Sequence, residues 1–154
     1  MNQLQYDGPI KIATGSSRKS TSWKNEEVLW SDFANRLQTV TRTQETLAEY
    51  RAMSKPRRDE IKDVGGFVGG AVKGGRRKAE TIMQRRLLTL DLDYVTVSDS
   101  PWETVELILG CAAVLYSTHS STPRAPRLRL VIPLARPVTP DEYTAIARRV
   151  AADI

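Results

Sequence analysis

Cysteine and histidine are almost missing from this chain: one of each, Cys111 and His119, in 154 residues. A single cysteine excludes an internal disulfide and a cysteine-built zinc site. Set in "LILGCAAVLY", it reads as a small buried hydrophobe. Aromatics are sparse, with three Trp, five Tyr and two Phe, which argues against recognition built mainly on base stacking. No apolar run approaches the ~20 residues that span a bilayer. The opening "MNQLQYDGPIKIATG" lacks the basic start and hydrophobic centre of a secretion signal, so a cytoplasmic protein with no membrane partner is expected.

What is present is a globular composition, 40% hydrophobic and 27% charged, with a net charge of +5 that is unevenly spread. Residues 1–54 carry seven basic and six acidic side chains, whereas residues 55–86 carry ten basic against four acidic. Such clustering suits a polyanionic partner, although a basic run is also an ordinary solvated face.

Along the chain, a short strand and a loop are expected in the first two dozen residues. Helices are expected in "SDFANRLQTV", capped by Ser31, and in "TQETLAEYRAMS", capped by Thr43 and stopped by Lys55-Pro56. Three Gly-Gly pairs in "DVGGFVGGAVKGGRRKAE" predict tight turns in a small hairpin, or a flexible basic loop whose Arg76, Arg77 and Lys78 touch a phosphate backbone. Next come a strand over "RRLLTLDLDY", a helix after Ser100-Pro101 ending at Gly110, strands over "AAVLYST" and "PRLRLVIPL", and a final helix opened by a Thr139/Glu142 capping box. The order strand, helix, strand, strand, helix implies an α+β fold with a mixed sheet, one strand short of a ferredoxin-like unit. The division expected is a subdomain over 1–86 and a core over 87–154, in one compact unit.

Three pairs of residues carry the candidate chemistry. Strand alternation sets Asp91 and Asp93 on one face, their carboxylates about 7 Å apart, with Leu90 and Leu92 on the other. Apolar flanks argue for a shared cation, and oxygen ligands suit Mg2+ or Mn2+. The alternative is a wet edge-strand face neutralised by arginines. Ser117 and His119 in "YSTHSS" are expected on one face, where hydroxyl and imidazole can donate to a phosphate. A lone histidine is more often a satisfied structural residue than a ligand. No nucleophile-elbow motif surrounds Ser117, which discounts hydrolysis by a serine. Arg127 and Arg129 alternate with leucines, so two guanidinium forks share a face, suited to a triphosphate or simply exposed. If the three strands are neighbours, these pairs form one site for a divalent metal and a nucleoside triphosphate.

The succession "LTLDLDY", "YSTHS", "PRLRLVIPL" resembles the primase-polymerase domain of the archaeo-eukaryotic primase superfamily. Together with "GGRRKAE" and "TPDEY", it is similar to the amino-terminal domain of phage, plasmid and virulence-associated E replication proteins. The resemblance spans residues 30–154. It implies a core sheet like an RNA-recognition motif, with Asp91 and Asp93 as metal ligands and Ser117 and His119 as nucleotide contacts. It further implies catalysis through Asp91, Asp93 and His119, single-stranded or primed DNA as template, and a helicase domain or protein as partner. That family carries a third metal-binding carboxylate on a later strand. Here the chain ends at Ile154, inside the preceding helix, and Asp153 does not fit the position. Two readings stay open: a nucleotidyltransferase that is a fragment of a longer chain, or a non-catalytic nucleic-acid- or protein-binding module derived from one. A nuclease using the same acids would leave the arginine and Ser/His pairs unexplained.

Overall fold

The computed structural model describes residues 7–96 and 98–154. Two three-stranded sheets, both antiparallel, organise the chain. The first is built from β1 (Pro9–Gly15), β2 (Lys24–Leu29) and β3 (Gly66–Val68), in the order β2-β1-β3. The second is built from β4 (Arg85–Leu92), β5 (Val114–Ser117) and β6 (Leu128–Val138), in the order β4-β6-β5. Between β2 and β3 lie α1 (Trp30–Gln38), α2 (Leu47–Ala52) and α3 (Lys55–Ile61). Helix α4 (Pro101–Leu109) joins β4 to β5, and α5 (Pro140–Asp153) follows β6.

The expected α+β class is the observed one. The mixed sheet is not: β6 inserts between β4 and β5, so each ladder in the second sheet is antiparallel, and the two parallel strands linked by α4 never touch. This is the strand order of a split βαβ unit.

Local rules account for most elements of the second half. Pro101 opens α4 and Gly110 closes it in the left-handed conformation (φ 54°), although the Ser100 side chain makes no cap hydrogen bond. Thr139 and Glu142 form the reciprocal capping box of α5. Along α5, Tyr143, Ile146, Ala147, Val150 and Ile154 recur at helical spacing and pack on a cluster of Leu88, Val105, Leu130 and Ile132. Full burial of each of those four aliphatic side chains contributes roughly 1.5–3 kcal/mol. The other face of the second sheet gives Leu87 and Val131 to a cluster with Ile10, Ile12, Trp30 and Phe33, so the two sheets share a core.

The first half departs from expectation in several places. Lys24–Leu29 is a strand, where no element was expected. Helix α1 begins at Trp30, and Ser31 instead bonds through its backbone N–H and hydroxyl to the Asp7 carboxylate. The cap of α2 is Thr46, paired with Glu49, not Thr43. Pro56 opens α3 in its first turn, where a missing N–H is harmless, as well as following the end of α2. The glycine pairs do not make a hairpin: β3 adds to the edge of β1. Cys111 is exposed, because the turn after Gly110 lifts it out of the strand.

Candidate functional site

Asp91 on β4 lies directly opposite Arg129 on β6, which lies directly opposite Tyr116 on β5. Directly opposed residues share a face, so acid, guanidinium and phenol form one row across the sheet. Arg129 donates from Nε to one Asp91 oxygen at 2.6 Å and from Nη2 to the other at 3.2 Å. Asp91 holds the Arg129 guanidinium still more firmly protonated than usual, burial opposing. Burial pushes the Tyr116 phenol up, and Arg129 offsets part of that. Tyr116 was not singled out from the sequence. The signal was its position one residue from Ser117 in an alternating strand.

Asp93 follows the end of β4 and Arg127 precedes β6, repeating the pairing one step outward at 3.7 Å. All four groups are at least a third exposed. The acids thus sit at the solvent-exposed end of an edge strand, each neutralised by an arginine. Among the described residues, no cluster of three or more His, Cys, Asp or Glu exists. A magnesium-type ion is commonly held by one or two carboxylates completed by water and substrate phosphates, and the Asp91/Asp93 pair fits that mode alone.

Ser117 and His119 do not share a face. Ser117 is paired with Leu128, which turns its side chain away from the Asp91 row, and β5 ends there. His119 lies in the following turn, exposed, where Nε2 is 3.1 Å from Thr43 Oγ1 and the ring is 4.7 Å from that of Tyr50. The imidazole therefore joins the helical segment to the β5–β6 connection.

Beside it opens a cleft of about 370 Å³ between α2, α3 and that connection, lined by Tyr50, Arg51, Lys55, Arg58, Asp59, Lys62, Ser120 and Arg127 among others. Five cations face one carboxylate. Asp59 is itself held by Lys55 and Lys62, each at 2.8 Å, and their hydrogen bonds keep its carboxyl far below the usual range. The Arg58 guanidinium sits 6.0 Å from the Tyr50 ring centre, and its Nε is buried with no hydrogen-bond partner. Arg127 belongs both to this cleft and to the carboxylate row. The cleft escaped sequence reading because its residues come from segments some seventy positions apart.

Arg76, Arg77 and Lys78 are exposed on the segment before β4. Arg77 stacks over Trp23 at 5.1 Å, and Lys78 lies 3.8 Å from Glu80.

Geometry thus defines a class: an α+β domain whose two small antiparallel sheets share a core, with a cation-rich cleft opening beside a carboxylate pair. Residues 1–154 match the VapE N-terminal domain family, and the chain belongs to it. That membership aligns it with virulence-associated E-like replication proteins of mobile elements. No curated protein and no solved structure matches the chain. Among the described residues, no helix is long and apolar enough to cross a membrane.

Proposed function

We propose that this domain binds a nucleoside triphosphate and a divalent metal at the Asp91/Asp93 row and the adjoining cleft, and serves nucleotidyl transfer on a DNA template. The observation that carries the reading is Arg127, which lines the cationic cleft while contacting Asp93. Triphosphate oxygens would lie between Arg127 and the Arg58 donor, with His119 and Tyr50 at the rim. Asp91 and Asp93 would hold Mg2+ or Mn2+, and the ion would supply charge stabilisation at the α-phosphate as the nucleotidyl group is transferred and pyrophosphate leaves. Ser117 gains no support from the register and has no role in this reading. Isothermal titration of manganese with and without a nucleoside triphosphate tests it. The metal should bind more tightly with nucleotide present, and Asp91→Asn with Asp93→Asn should abolish binding in a folded protein. Unchanged affinity in that double variant refutes it.

A second reading is favoured by the arginine on each carboxylate: a nucleic-acid-binding module without catalysis. Incubation with primed template, labelled nucleotides and manganese separates the two. Extension supports the first, and salt-sensitive binding without extension supports the second.

A further inference from the structure

A second groove, of about 600 Å³, lies at the opposite end of the β4–β6 ladder from Asp91. Arg85 is six residues before Asp91 on β4, roughly 20 Å away at ~3.3 Å per residue. The walls are the outer faces of β1 and β2, the segment 70–73, the start of β4 and the end of β6.

Its cations are Lys11, Lys73, Arg85, Arg86 and Arg136, against one lining carboxylate, Glu27. Among the described residues, no acid lies within ion-pairing distance of Lys11, Lys73, Arg85 or Arg86, while Arg136 pairs with Glu142 at 2.6 Å. Arg86 Nη1 is buried and makes no hydrogen bond to another protein group. Between the charges the surface is apolar, formed by Pro9, Ala71 and an exposed Met83.

The walls are held firmly. Asn25 grips the backbone of Val72 twice, donating from Nδ2 to its carbonyl at 2.9 Å and accepting its N–H at 2.8 Å. Gly70 lies so close to β4 that a β-carbon there would meet the Gln84 carbonyl at 2.0 Å, and the Gly69 carbonyl accepts the N–H groups of Arg86 and Leu87. The middle Gly-Gly pair of the sequence thus lets the groove wall lie against the strand that carries Arg85 and Arg86.

We propose that this groove binds the sugar-phosphate backbone of single-stranded nucleic acid, away from the acid row. Guanidinium forks match phosphate oxygens, the lysines add point charges, and the apolar strip between them accepts the face of a base or sugar. The proposal rests on the nucleic-acid part of the function proposed above and is independent of whether Asp91 and Asp93 hold metal.

Fluorescence anisotropy of a labelled oligothymidylate, measured against salt concentration, tests it. Lys11→Gln with Lys73→Gln, both exposed, should fold normally and flatten the slope of log affinity against log salt by about 1.4, since each lost phosphate contact on single strands is worth ~0.7. Arg86→Gln should weaken binding about tenfold or more, as expected for losing a charge-assisted hydrogen bond. Manganese and nucleotide binding should be unaffected in the lysine variant. An unchanged slope and affinity in that variant overturns the proposal, as does polyglutamate competing as well as oligothymidylate. Failure of the wild-type protein to bind manganese would count against the carboxylate site and leave this result standing.

Discussion

Arg129 engages both carboxylate oxygens of Asp91 from the directly opposite position on the neighbouring strand, at 2.6 and 3.2 Å. Any cation taken up by Asp91 must therefore compete with a guanidinium already in place. Both side chains are at least a third exposed, so the pair itself contributes no more than about 1 kcal/mol to stability. Arg129→Met should leave the urea midpoint nearly unchanged and raise manganese affinity severalfold, because a like charge and a competitor are removed together. If Asp91 is only a structural partner, manganese binding will not respond, and titration calorimetry on the variant decides the matter.

His119 offers a cleaner separation of roles. Its ring is exposed and touches Thr43 and Tyr50 without entering the core. His119→Ala should cost less than about 1 kcal/mol in stability, as is usual at surface positions. Nucleotide affinity should nevertheless fall, while oligothymidylate binding in the distant groove stays constant. A loss of stability with no change in nucleotide affinity would make His119 a strut between the helical segment and the β5–β6 turn.

The features legible from sequence were those set within a few residues. The Thr139/Glu142 box, Pro101 and the Gly110 stop are local hydrogen-bonding and backbone preferences, and the structure has each of them. Strand alternation holds for Leu90, Asp91 and Leu92 inside β4, while Asp93 follows the strand's end and meets Arg127. It misled at Ser117 and His119, because alternation holds only while the strand lasts and β5 ends at Ser117. Strand β2 went unseen since "KNEEVL" is charged on an edge, where burial leaves little mark on composition. The meeting of Arg58 with Arg127, and of Lys11 with Arg86, is a property of tertiary packing that no spacing rule encodes.

Two glycines test backbone causes separately. A β-carbon at Gly70 would lie 2.0 Å from the Gln84 carbonyl oxygen, a clash with backbone that no side-chain rotation relieves. Gly74 has open space around it but a φ of 70°. Gly70→Ala should destabilise by more than about 3 kcal/mol, in the range of severe packing changes. Gly74→Ala should cost only the left-handed backbone penalty of about 1–2 kcal/mol. Urea denaturation of both variants gives the comparison, and equal costs would mean that segment 69–75 is not held against β4 as described.

Glu142 makes stability depend on acid in a predictable direction. Its carboxylate accepts hydrogen bonds from Arg136 and from the Thr139 backbone N–H, which together lower its pKa to about 2, Arg136 being the larger cause. A depressed folded-state pKa means that the stabilisation is fully present above the unfolded value of about 4.3 and is lost as pH falls through about 2. Glu142→Gln can still cap α5 but cannot pair with Arg136 as an ion. Its thermal midpoint should therefore lie below that of the wild type at pH 7, and the gap should close between about pH 4.3 and 2. Asp59, held low by Lys55 and Lys62, adds an acid-sensitive slope in both proteins. A constant gap across this range would mean that the Arg136–Glu142 contact carries no ionic stabilisation, and that the capping box alone fixes the start of α5.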